Sequence, residues 1–142
     1  MATKQEQILE AIKTVLAGTT GVAKRIYRSK SSAVDKDHSP SIIIRPGTNP
    51  ASPPSEGNVG QLDWYLVVNV FVISRGEVPD KAADPTVESL YSKIMADVTL
   101  GGLALDIQPL GIDTQFSDTD ENAAVINCSF RVQHRTAFET IT

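Results

Sequence analysis

Apolar residues along the chain follow two different periods. Between Thr3 and Ala17, Ile8, Ile12, Val15 and Leu16 recur at the i, i+4, i+7, i+8 spacing that lines one face of a helix, with Leu9 beside them. Thr3 can cap this helix, Glu6 three residues on completes a possible capping box, and Gly18 is a natural stop. A second helix is expected to open at Asp84-Pro85, where Asp84 can cap free amides and Pro85 loses no useful hydrogen bond. Val87, Leu90, Tyr91, Ile94 and Val98 carry its apolar face, and Gly101-Gly102 ends it.

Elsewhere the period is two. Gly21 to Arg28 reads as a strand, followed after a polar stretch by Ser41 to Arg45, a triple-isoleucine strand bracketed by Pro40 and Pro46. Proline supplies no ladder donor, so that strand should be short or near an edge. The strongest strand runs from Gln61 to Ser74. Its even positions are all apolar (Leu62, Trp64, Leu66, Val68, Val70, Val72), whereas its odd positions mix Asp63, Tyr65, Val67, Asn69, Phe71 and Ile73. The even face is core; cover by a helix is the first reading for the odd face, and contact with a neighbouring subunit the second. A hairpin closes the chain. Leu110, Ile112 and Phe116 alternate with polar residues, as do Ala124, Ile126, Cys128, Phe130 and Val132, and both apolar sets can point to one core. The opposite face then carries Asp113, Arg131 and Arg135. Between the second and third strands, Pro46 to Gly60 is a long Pro/Gly/Ser-rich loop without periodicity, either a surface excursion or an arm that orders against a neighbour. The expected fold is α+β: a mainly antiparallel sheet, two helices packed on it and the long loop, all in one domain of 142 residues.

A net charge of −4 argues against a free-standing nucleic-acid binder, which would need a basic surface to displace counterions. The single cysteine, Cys128, allows no internal disulfide and suits a reducing compartment. Met1 to Gln7 lacks the form of a signal peptide, and the apolar run Leu66 to Ile73, broken by Asn69, is too short for a bilayer.

Catalytic chemistry has little to stand on. His38 lies in a polar loop, His134 reads as a partly buried rim residue without a partner, and Cys128 sits at an apolar strand position with nothing nearby to activate it. Gly18 to Lys24 lacks phosphate-loop spacing. Asp118, Asp120 and Glu121 lack the order of a calcium loop and read as a solvated turn. No catalytic, cofactor or metal residue is assigned.

Several stretches in order resemble the tail-terminator proteins of long-tailed phages, the family of the lambda minor tail protein U. They are the opening helix Ile8–Leu16 leading to Arg25-Ile-Tyr-Arg28, the strand Pro40–Pro46 and the long strand ending in Val72-Ile-Ser-Arg75. Ala83-Asp-Pro85, the run Asp97-Val-Thr-Leu-Gly-Gly-Leu103 and the closing Phe130–Thr136 complete the set. The resemblance implies a structural virion protein with no cofactor. It would form a hexameric ring that caps the tail tube, stops its polymerisation, meets the head-side connector, and encloses a channel through which DNA passes without specific binding. Ring closure needs head-to-tail subunit contacts; the loop Pro46–Gly60 and the long strand are the expected contact elements, with Arg45, Asn58, Asp63, Arg75 and Arg131 as candidate members. The rivals are another neck or completion protein at the head–tail junction, and a small ligand-binding domain or enzyme with a pocket under the mixed strand face.

Overall fold

The computed structural model describes residues 2–22, 25–29, 40–52, 60–117 and 123–142. The first helix, α1 (Lys4–Leu16), starts where the cap residue was expected: the Thr3 hydroxyl accepts from the Glu6 amide at 3.1 Å. The Lys4 amide, another of the donors a helix start leaves open, finds the Ile141 carbonyl at 2.7 Å. The Glu6 carboxylate does not close a capping box. It turns to the Arg28 guanidinium at 3.0 Å, which Glu10 also meets at 2.6 Å. That pair ties α1 to β1 (Ile26–Arg28).

β1 is much shorter than Gly21–Arg28. Gly21 takes a left-handed φ of +85°, and Arg25 donates its amide back to Val22, so the chain turns before it extends. β2 (Ser41–Pro46) lies parallel to β1 and antiparallel to β4 (Gln61–Arg75). The front of the expected loop is also tied down. Gly47 donates to Val67, Val67 to Thr48 and Tyr65 to Pro50, and Ala51–Ser52 form a two-residue strand, β3, on β4. Residues 53–59 of the loop, Asn58 among them, lie outside the described residues. β5 (Asp106–Ser117) and β6 (Ala123–Ala137) form the closing hairpin, and the sheet runs β1-β2-β4-β6-β5 with β3 beside β4. The turn with Asp118, Asp120 and Glu121 is outside the described residues, as are Lys24 and His38. The expected α+β class, a largely antiparallel sheet with two helices, is the observed one.

The second helix, α2, spans Pro79–Met95 and so begins six residues before Pro85, the expected first helical position. Asp84 is therefore not its cap. Pro79 occupies the first helical turn, where its fixed φ fits, and the buried Ala83 extends the packed face. Pro85 is inside the helix. The Gly101-Gly102 pair does not end α2 either. Both glycines take positive φ in a following 3₁₀ turn, where the Asp97 carboxylate accepts from the Gly101 amide at 3.0 Å.

Both helices pack on the same side of the sheet, the side of β4's even positions, with α2 against β4 and α1 against β1, β2 and α2. Ile8, Leu9, Ile12 and Leu16 of α1 and Leu90 and Ile94 of α2 close over Leu66, Val68, Val70 and Val72, with Ile126, Cys128, Phe130 and Val132 of β6. The helix cover expected for the odd face is thus absent: the helices satisfy the fully apolar face, and the mixed one faces away from them.

The hairpin corrects a second expectation. β6 buries its apolar set, but of the β5 residues only Ile107 reaches the core, while Leu110, Ile112 and Phe116 are 52%, 58% and 60% exposed. The reason is position. β5 is the outermost strand, and a register irregularity between Pro109 and Gly111 sets Leu110 outside the pairing.

Candidate assembly surface

The outward sheet face is built from β2, β4 and β6, whose side-by-side residues point the same way. At its centre Asn69 accepts from the Asn127 amide at 3.2 Å and the Ser129 hydroxyl at 3.0 Å. Two guanidinium groups lie over aromatic rings: Arg45 over Phe71 at 5.7 Å and Arg131 over Tyr65 at 5.3 Å. Arg131 also donates to Gln108 at 2.6 Å. Nearer one end, Arg135 grips both oxygens of Asp63 at 2.6 and 3.1 Å, and Gln133 adds a third contact at 3.3 Å. The Arg135 hydrogen bonds hold the Asp63 carboxyl below its ordinary range, outweighing the opposing effect of burial.

Of the candidate contact residues, Arg45 and Arg131 therefore share the middle of this face, opposite Asn69 and Val67. Asp63 is on the same face, but it is buried and engaged by Arg135, so its role is internal. Arg75 ends β4, twelve residues from Asp63 and on the order of 40 Å away along the strand. Arg135, expected on this face with Arg131 but not among the candidate contact residues, is the partner that engages Asp63.

The Asp63–Arg135 pair yields a prediction. Asp63→Asn should cost roughly 1.5–3 kcal/mol at neutral pH, the range for hydrogen bonds to a charged group. Because the folded carboxyl is the stronger acid, its contribution is complete above the unfolded value of about 4 and fades as pH falls below it. Urea unfolding at pH 7 and pH 3 should show the parent losing more stability than Asp63→Asn; equal losses would contradict the assignment.

The second notable surface is the β5 edge. Ile112 and Phe116 pair with Cys128 and Ala124 and so lie on the helix side of the sheet, beyond the cover of α2. Between Tyr91 of α2 and this edge runs an apolar groove of about 320 Å³, floored by Phe130 and Cys128. Burial raises the Cys128 thiol to about 11, which leaves it inert at neutral pH.

A cavity of about 380 Å³ opens at the other end of the sheet, lined by Trp64, His134 and Thr136 with Thr3, Gln5, Asn49 and Ile141. The Trp64 indole donates to Thr136 at 2.8 Å. His134 is not the rim residue expected. It is 2% exposed, and burial is the main cause that lowers its pKa, so it sits there as a neutral imidazole. Among the described residues no cluster of His, Cys, Asp and Glu could hold a metal ion. Among the described residues no helix is long and apolar enough to cross a membrane.

No protein-family model matches the chain, and no curated protein does. A solved structure does. A chain of a structure described as the virion of a native gene transfer agent particle superposes with a TM-score of 0.56, covering 94% of this chain and 92% of that one at 14% identity. That likeness establishes a shared fold from end to end.

Proposed function

We propose that the chain is a non-enzymatic structural subunit of a phage-type virion, acting by surface complementarity. The observation that carries this reading is the likeness to a chain of a gene transfer agent virion, which covers 94% of this chain and 92% of that one. The exposed apolar edge of β5 supports it, since such an edge is a hazard in an isolated subunit and an asset in an assembly.

Within that class, the tail-terminator resemblance supports the finer role. Six copies close into a ring on the end of the tail tube, stop its growth and present a surface to the head-side connector, while DNA passes through the lumen without specific binding. Arg45 and Arg131 on the outward face, Arg75 at the strand end and Asn58 in the loop remain the candidate contacts with tube or connector. The test is electron microscopy of particles made without this chain. Abnormally long tails are expected, whereas tails of normal length that fail to join heads would overturn the capping role in favour of a neck protein.

A further inference from the structure

The sheet has two open edges, since no strand among the described residues pairs with the outer side of β1 or of β5. Following strand directions across the sheet, β1 is parallel to β2, β2 antiparallel to β4, β4 to β6 and β6 to β5. The two edge strands therefore run in opposite directions. If the sheet continues from one copy into the next, β1 of one meets the neighbour's β5 antiparallel, the geometry of the better ladder.

The pairing within the subunit also sets which residues of its two edges lie level. Three rows cross the whole sheet: Ile26–Ile42–Val72–Ile126–Thr114, Tyr27–Ile43–Phe71–Asn127–Asp113 and Arg28–Ile44–Val70–Cys128–Ile112. β1 thus lies level with residues Ile112 to Thr114 of β5. These lie beyond Pro109, which has no amide to offer a partner. The backbone of β1 is oriented to match. Arg25 accepts from Ile42 and Ser29 donates to Ile44, so the alternate residues Ile26 and Arg28 turn their amides and carbonyls to the open side.

We infer that β1 of one copy of this chain adds to β5 of the next, with Tyr27 opposite Asp113, so that a single continuous sheet runs from subunit to subunit. This rests on the ring reading, and it names the surfaces that close the ring. Charge supports the register. Asp113 is exposed on the outward face, and its diagonal neighbour across the join is Arg25, whose guanidinium donates, among the described residues, to the neutral carbonyls of Pro40 and Gly21. On the helix side Ile112 comes opposite Arg28, whose methylene stem can cover it.

The experiment is a cysteine pair, Tyr27→Cys with Asp113→Cys, oxidised across a range of concentration and read on non-reducing gels beside the light-scattering mass. The position opposite each other is a non-hydrogen-bonded one, the spacing that suits a disulfide. A ladder of covalent multimers up to six is expected from the double variant and from neither single one. Rings without the ladder would place the join elsewhere and overturn the inference while leaving the ring intact. A ladder without a six-fold mass would keep the edge pairing and sink the ring. Neither ladder nor ring would overturn both. Should the cysteine pair fail to fold, a charge exchange decides: Arg25→Glu and Asp113→Lys should each raise the concentration for half-assembly about tenfold, and the two together should restore it. Additive losses would contradict the register.

Discussion

Phe130→Ala should lower stability by about 3–5 kcal/mol, the largest effect expected of any single truncation in this chain. Phe130 is 2% exposed, central on β6, paired with Val68 and Pro109 in its neighbouring strands, and its ring lies 6.1 Å from that of Tyr91. It forms the floor of the apolar groove beside α2, so truncation both removes buried surface and deepens an existing void. The sheet cannot collapse to refill it, because the strands on either side hold their spacing through the ladder. For a domain whose total stability is on the order of 5–15 kcal/mol, the melting temperature should fall by roughly 10 °C or more. A fall of a degree or two in thermal melts would show that this ring does not join α2 to the sheet.

The second large effect is on assembly. Ile112→Asp combined with Phe116→Asp should abolish self-association while leaving the melting temperature of the monomer nearly unchanged. Both side chains are more than half exposed, so they contribute little to the core, and changes at such positions usually stay within about 0.5 kcal/mol. Two carboxylates on the same apolar edge would have to be desolvated in any interface that covers it. Size-exclusion chromatography with a parallel thermal melt separates the outcomes. Retained association would remove β5 from the interface, and a large loss of melting temperature would mean that the edge belongs to the core after all.

The contrast between these two sites shows what the sequence makes legible. The alternation on β4 and β6 identified the buried face almost residue by residue, because both strands are central and the helices cover the middle of that face. The same alternation on β5 misled. Ile112 and Phe116 point the expected way, but period-two patterning reports direction, not whether a neighbour stands there, and an edge strand has none. The start of α2 failed for a related reason. Asp84-Pro85 is a good local cap, yet Pro79 is an equally good first-turn residue, and only the packing of Ala83 against the sheet decides between them. Arg45 and Arg131 were legible as outward-facing charges. Their aromatic partners, and the capture of Asp63 by Arg135, depend on cross-strand register, which joins residues from 26 to 72 positions apart and leaves no mark in local spacing. The burial of His134 was hidden likewise, since its cover comes from α1 and the last residues of the chain.

The most direct test of the ring is the solution mass of the purified chain by light scattering across a wide range of concentration. A mass six times that of the chain, or a climb towards it as concentration rises, is expected. A strict monomer at every concentration, joined by a ligand-dependent rise in melting temperature, would contradict the ring and return the cavity beside Trp64 and His134 as the working site.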